Sequence, residues 1–307
     1  MSPHSSLPVG SKLWVSVDLS LSFGKGHPQK LNRTKLLDSG TLDIDASYVL
    51  SGANVPKSNQ PSQIHDTRQC LMIAALLYHP DLGLILFDTG ACEDIINSWD
   101  KEFLECVPRT WVKDIHSLPA AVKATGAGDI TDIKAVVMSH LHLDHAGGLE
   151  HFFFGDSLTF SIDVEIWCHE KELKNAFWAS ATGHDSGLFR PDYLRADLLN
   201  WKTVSEQVVE LWSGVTLHMC PGHTEGFLVV ELKFQVAGTV VLTGDLFHVK
   251  ENYEDGQPQG FLMRDYNTWH RSRDYVRRLV RQTNAKVCLG HEKSYFDKFV
   301  KSPEYLV

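Results

Sequence analysis

A chain of 307 residues, 43% hydrophobic and 22% charged, can bury a substantial core without disulfides or a structural metal, so metal-type ligands in it point to chemistry. A formal net charge of −9 without a dense Lys/Arg run argues against nucleic acid as a partner. No run of about 18 apolar residues is present, which excludes an ordinary membrane-spanning helix, and the start Met1-Ser-Pro-His lacks the pattern of a signal peptide, so the expected location is cytoplasmic.

Residues 1–10 and 22–34 are rich in Ser, Pro, Gly and Lys, and 1–34 is set apart as a poorly patterned segment before one domain over 35–307. Residues 41–45 alternate apolar and polar, as a half-buried strand does. The polar stretch 51–66, with two Pro, reads as a loop. Residues 71–78 and 82–87 are apolar runs around the turn His79-Pro80-Asp81 and predict a buried hairpin. Further strands are expected over 135–139, 164–168, 215–220, 227–234, 239–243 and 286–289, the 227–243 pair turning at Ala237-Gly238. Helices are expected over 118–125, 145–153, 169–180 and 267–283. The last opens at Asn267 as N-cap and carries an Arg-rich solvated face over 271–281. Two groups of strands with helices between them suit two packed sheets clad in helices, a pattern that other mixed folds share.

Cys70, Cys92, Cys106, Cys168, Cys220 and Cys288 form no C-x-x-C pair and read as buried reduced thiols. His151, His169, His184, His218 and His270 lack a strand-end, Gly-flanked setting and read as structural or surface residues. The stretch 178–193 reads as a surface loop; the alternative is a lid, within 178–202, with Phe189 or Tyr193 lining an apolar pocket.

The chemistry-bearing constellation begins at His140. An apolar strand delivers His140-Leu-His142-Leu-Asp144-His145 at its carboxyl end, and Ala146-Gly147-Gly148 lets backbone pass close by. Metal-type residues recur at three further strand ends, in Pro221-Gly-His223, Thr243-Gly-Asp245 and Leu289-Gly-His291. Loops on a rigid scaffold are where such sites are built.

This ordered series resembles the ligand motifs of the metallo-β-lactamase superfamily, and most nearly its N-acyl-homoserine lactonase-like branch. The matching stretches are Leu84-Ile-Leu-Phe-Asp88-Thr-Gly, 139–148, Pro221-Gly-His223, Leu242-Thr-Gly-Asp245 and Gly290-His291. Leu37-Asp-Ser-Gly-Thr-Leu-Asp43 is similar to an early strand of that branch, and the resemblance spans roughly 35–295. It implies an α/β fold, a four-layer αββα sandwich with the site at one edge. It also implies one metal on His140, His142 and His223, another on Asp144, His145 and His291, and Asp245 bridging both, with Asp88 supporting the site without ligating. Such N/O sites suit two Zn²⁺ ions, with Fe, Mn or Co as alternatives.

The implied reaction is attack by a metal-bridging hydroxide on the carbonyl of a small-molecule cyclic ester, or a related cyclic amide or carbamate. Asp144 would orient the nucleophile and hand a proton to the leaving atom. A thioesterase of the glyoxalase II or carrier-protein kind is the alternative, although no basic docking patch is evident. A nuclease would share the ligands but suits the acidic charge poorly, and a metal sensor without turnover is a further reading. Neither nucleic acid nor membrane is expected as a partner, and a homodimer is left open. Two departures from the branch stand out: Phe227 occupies a position that often carries His, and His248 stands where a substrate-contacting Tyr is usual. His248 is expected to replace that Tyr as carbonyl-oxygen donor or proton shuttle, or else to line the pocket.

Overall fold

Alternation near residue 41 extends further towards the N-terminus than the short run suggests. In the computed structural model, which describes residues 33–56, 65–153 and 164–301, strand β1 runs over Arg33–Asp45 and pairs antiparallel with β2, Thr67–His79. Residues 1–32, set apart in the sequence, and 57–64 of the polar stretch lie outside the described residues. The register shifts between Asp38 and Thr41 because Gly40 adopts φ +94°; a Cβ there would stand 2.9 Å from Thr110 O.

Strand β2 turns into β3, Gly83–Phe87, as the apolar hairpin predicts. Short β4 (Arg109–Thr110) pairs with β1. Strands β5 (Ile133–Val137), β6 (Glu165–His169) and β7 (Asn200–Val204) continue the sheet in parallel from β3. The result is a seven-stranded sheet ordered β4-β1-β2-β3-β5-β6-β7. The second sheet is β12-β11-β10-β9-β8, from β8 (Val208–Trp212), β9 (Val215–Met219), β10 (Leu228–Lys233), β11 (Thr239–Leu242) and β12 (Lys286–Cys288).

Burial sets the layers. Leu71, Ala75, Leu77, Ile85, Phe87 and Val137 of the first sheet meet Leu217, Leu228, Val230, Val240 and Leu242 of the second in one core. The opposite residues of β2, Met72, Ala74 and Leu76, join Leu118, Ala121 and Val122 of helix α1 (Leu118–Ala124) and Ala176 and Ala179 of α2 (Glu170–Thr182). Trp269, Val276 and Val280 of α3 (Tyr266–Thr283) cover Val229 and Val241 on the outer face of the second sheet. Alternation with period two is what lets each strand feed two such layers, and the outcome is the expected αββα sandwich. A last helix, α4, occupies Lys293–Lys301.

Several expectations are corrected. Helix α3 is capped by Asp265, whose carboxylate accepts from Thr268 N at 2.8 Å, so Asn267 already lies inside the helix. The helix expected over 145–153 is a short α-turn, Leu143–Ala146, followed by 3₁₀ turns over Gly147–Phe152. Gly147 there passes so close to the preceding loop that a Cβ would stand 2.1 Å from Cys92 N. Helix α2 runs to Thr182, so Trp178 belongs to a helix and not to an irregular loop. Five cysteines are buried and unpaired, but Cys106 is exposed at the end of a short helix. Among the described residues no helix is long and apolar enough to cross a membrane.

Candidate metal centre

The carboxyl ends of four strands converge. After β5, His140 and His142 follow in extended backbone, and the turn Leu143–Ala146 presents Asp144 and His145. After β9 the loop reaches His223 by way of Gly222, where φ is +136° and a Cβ would be 2.5 Å from Trp269 Cα. Only glycine lets this loop cross α3 so closely. After β11, a 3₁₀ turn over Gly244–Leu246 carries Asp245, and after β12 comes His291. Both sheets contribute: β5 lies in the first, and β9, β11 and β12 lie in the second.

All seven residues proposed from the sequence as ligands come together. His140, His142 and His223 form one group, with His223 Nε2 3.2 Å from His140 Nε2 and 3.1 Å from His142 Nδ1. Asp144, His145, Asp245 and His291 form another, with His145 Nε2 and His291 Nε2 3.4 Å apart and Asp144 Oδ2 3.6 and 3.5 Å from them. Asp245 stands between the groups. Its Oδ1 is 3.2 Å from His145 Nε2 and 3.1 Å from His291 Nε2, while Oδ2 is 3.5 Å from His223 Nε2 and 3.8 Å from His140 Nε2.

The far sides of the rings decide what the near sides offer. His145 Nδ1 donates to Asp88 Oδ2 at 2.9 Å, and His291 Nδ1 donates to Leu71 O at 2.9 Å. His140 Nδ1 donates to Ser139 Oγ at 2.9 Å, and His223 Nδ1 to Gln259 Oε1 at 3.2 Å. In a neutral imidazole this leaves each Nε2 as a bare lone pair. Lone pairs thus face lone pairs at 3.1–3.2 Å around Asp245 and His223, an arrangement that repels unless a cation lies among them. Asp245 Oδ1 is buried without a directed hydrogen bond, which fits the same account. The donor set therefore suits two divalent cations.

Electrostatics divide the two groups. Burial, aided by neighbouring cationic and imidazole groups, holds His140, His142 and His223 well below the usual histidine range. Burial alone would lower His145 and His291 too, but Asp245 and Asp144 outweigh it and raise both. Burial would raise Asp245, yet His291, His145 and His248 hold it well below the carboxylate range.

His248 is 1% exposed, and its Nε2 lies 3.1 Å from Asp245 Oδ2 without making a directed hydrogen bond at either ring nitrogen. His223, Asp245 and His248 form a third compact group. His248 faces a cavity of about 40 Å³, together with His142, Asp144, Asp245 and His291. The other wall is apolar, from Leu42, Ile44, Leu143 and Leu262 among others. Tyr48, Phe103 and Leu188 line both this cavity and a larger cleft of about 600 Å³ that Phe189, Arg190 and Phe261 help to enclose.

The remaining histidines lie outside these groups. His169 caps α2, accepting from Lys171 N at 3.1 Å, and His218 bonds Tyr275 and Glu231. His151 sits between Glu93 and Glu150, His184 packs on Trp178, and His270 packs on Tyr266. In the 178–193 stretch Phe189 packs edge-on against His142 at 4.9 Å and lines the cleft. Tyr193 does not line the cavity: its hydroxyl is buried and donates to Leu141 O at 2.7 Å. Gln259 escaped the sequence reading, since it lies in a polar loop with no periodicity. Its Oε1 meets His223 while its Nε2 donates to Asp245 O and, at 3.0 Å, to Leu246 O.

Comparison with known proteins follows the same lines. Residues 68–291 match the family model of the metallo-beta-lactamase superfamily. The N-acyl homoserine lactonase AiiB of Agrobacterium fabrum is 25% identical over 282 residues, covering 89% of this chain and 98% of that protein. The N-acyl homoserine lactonase AiiA of Bacillus thuringiensis subsp. kurstaki is 26% identical over 244 residues, covering 77% and 87%. A solved N-acyl homoserine lactone hydrolase, with the product N-hexanoyl-L-homoserine at its catalytic metal centre, superposes with a TM-score of 0.72 at 22% identity, covering 88% of this chain and 97% of the other. The dizinc quorum-quenching lactonase AidC superposes with a TM-score of 0.60 at 17% identity, covering 86% and 90%.

Proposed function

Because the chain belongs to the metallo-β-lactamase superfamily, we propose that it is a two-metal hydrolase that opens a small cyclic ester, or a related cyclic amide or carbamate. His140, His142 and His223 would hold one metal, Asp144, His145 and His291 the other, and Asp245 would bridge them. Zn²⁺ is the proposed native ion, since imidazole and carboxylate donors suit it. A cytoplasmic location rests on the sequence reading alone.

The observation that carries this reading is the position of Asp245. Its two oxygens approach imidazoles of both groups, between 3.1 and 3.8 Å. When bound, a pair of divalent cations supplies a water acidic enough to ionise near neutral pH and polarises a carbonyl oxygen. The chain's own side chains do the rest. Asp144 is the ligand-set residue with the most exposure, 15% at its side chain, and it borders the cavity. That placement suits a carboxylate that orients the attacking water and passes its proton to the leaving oxygen or nitrogen. His248, with free ring nitrogens on the same cavity, donates to the carbonyl oxygen or relays the proton. The apolar wall excludes water from the opposite side and accepts the non-reacting part of the substrate. Support for a lactone among carbonyl substrates comes from AiiB and AiiA, which are N-acyl homoserine lactonases. No observation favours the thioester alternative: Arg190 of the cleft is paired with Asp100 at 2.9 Å, and Glu102 lies nearby.

The test is metal content of the purified protein, paired with a pH-drop hydrolysis screen of lactones, aryl lactams, cyclic carbamates and thioesters. About two metals per chain and turnover of a cyclic substrate that chelation abolishes are expected. Fewer than about one metal per chain, unrestored by Zn²⁺ or Mn²⁺, overturns the reading.

A further inference from the structure

Helix α2 carries a carboxyl group that the proposed chemistry does not use. Glu172 has no exposed surface, lies in the first turn of that helix, and has no Lys or Arg within ion-pair distance among the described residues. Burying a carboxyl group is costly unless hydrogen bonds repay it. Here its two oxygens go to two different loops. Oε1 accepts from Leu141 N at 2.9 Å, and Oε2 accepts from Gly226 N at 3.1 Å. Leu141 is the residue between His140 and His142, and Gly226 follows His223 by three residues.

The contact is built closely. A Cβ at residue 226 would stand 2.1 Å from Glu172 N, so the His223 loop reaches the helix only because that residue is glycine. The Leu141 peptide is also held at its other end, where Leu141 O accepts from Tyr193 Oη at 2.7 Å. The other group of ligands is tied elsewhere: His145 to Asp88, His291 to Leu71 O, and the His145 carbonyl to Thr89.

From this division of supports we propose that Glu172 is a positioning residue for one metal site only. By tying the His140–His142 loop to the His223 loop, it fixes the spacing of the three imidazoles that would share one ion, with Tyr193 assisting from the carbonyl side. The proposal rests on the two-metal reading above. Gln is nearly the same size as Glu but offers a single acceptor oxygen. In Glu172→Gln one of the two loop amides therefore loses its partner and faces an NH₂ group instead.

The experiment uses the full-length protein. Wild type, Glu172→Gln and Tyr193→Phe are stripped of metal and titrated with Co²⁺ and Zn²⁺. Stoichiometry, the two affinities and the visible Co²⁺ spectrum are read, and circular dichroism confirms folding. Glu172→Gln should keep one wild-type affinity and lose about 10–100-fold in the other, the usual effect of removing a group that orients metal ligands. The Co²⁺ spectrum should change for one equivalent only. Tyr193→Phe should weaken the same equivalent by less, and it carries the test if Glu172→Gln does not fold. Two unchanged affinities, or equal weakening of both, sink the proposal while the two-metal reading stands. A wild-type protein that binds no metal brings down both.

Discussion

Asp88 Oδ2 accepts a hydrogen bond from His145 Nδ1 at 2.9 Å, and the same oxygen accepts from Ser139 Oγ at 2.7 Å. Ser139 Oγ in turn accepts from His140 Nδ1. One buried carboxylate thus orients an imidazole in each of the two ligand groups, directly in one and through a hydroxyl in the other. In Asp88→Asn an amide nitrogen or a single carbonyl oxygen must serve these donors. Metal affinity should fall about 10–100-fold, read by chelator competition; an unchanged affinity would show that ring orientation does not depend on Asp88.

Gly290 lies against the Asp245 carboxylate. A Cβ there would stand 2.6 Å from both Asp245 Oδ1 and Gly244 O. Gly290→Ala should displace that carboxylate, destabilise the fold by about 1–3 kcal/mol and reduce metal content. Thermal midpoints with and without added zinc measure the first effect, and elemental analysis measures the second. A variant with normal values for both would refute the tight contact.

His248→Ala should keep both metals and lose turnover by about 100-fold or more, since a group that donates to the carbonyl oxygen or moves the proton acts in the chemical step. The measurement is kcat at confirmed metal content. Unchanged kcat would reduce His248 to part of the cavity wall.

Acid should destabilise the metal-free protein. His140, His142 and His223 have folded pKa values held below the 6.5 of the unfolded chain. The unfolded state therefore binds more protons at these residues once pH drops below 6.5, and stability falls with it. His145 and His291 are raised and act in the opposite sense, losing their contribution as pH rises through their folded values. Urea midpoints in chelator between pH 7 and 5 should fall for wild type and fall less for His223→Ala. Parallel curves for the two proteins would contradict this.

Chelation should abolish hydrolysis and lower the thermal midpoint together, because an ion bound only by the folded state at 100 times its Kd stabilises by about 2.7 kcal/mol. Re-addition of Zn²⁺ should restore both. Loss of activity without any change of midpoint would argue that the ions contribute nothing to holding the fold.

The proposed ligands were legible because His140 to His145 crowd three His and one Asp into six residues at the end of an apolar run, while His223, Asp245 and His291 each follow a Gly at a strand end, settings in which an imidazole or carboxylate has few structural uses. Strands rich in apolar residues, such as β2, β9 and β10, were legible for a related reason: both of their faces are largely buried, even where Thr216, His218 and Glu231 interrupt the apolar pattern. Strands β7 and β8, Asn200–Val204 and Val208–Trp212, sit at sheet edges with half-exposed residues, so their pattern is weak. Glu172 and Gln259 were out of reach because each acts through loops far off in sequence: Glu172 bonds residues 31 and 54 positions away, and Gln259 bonds a residue 36 positions away. Nothing in their own neighbourhoods marks them. Cys106 was misread as buried because it ends a six-residue helix with no buried residue, too short for periodicity to show its exposed face.

The ligand groups draw on strand ends of both sheets, with His140 to His145 following β5 and His223, Asp245 and His291 following β9, β11 and β12. As the chain leaves the ribosome, it therefore has no complete site to offer. The His140 group waits about 80 residues for His223, and the Asp144 group waits for residue 291, so each proposed ion would be captured only across a long closed loop. On the proposed ligand set, metal loading would be a late event, a seal on two sheets that have already met, and a protein starved of metal should fold before it matures.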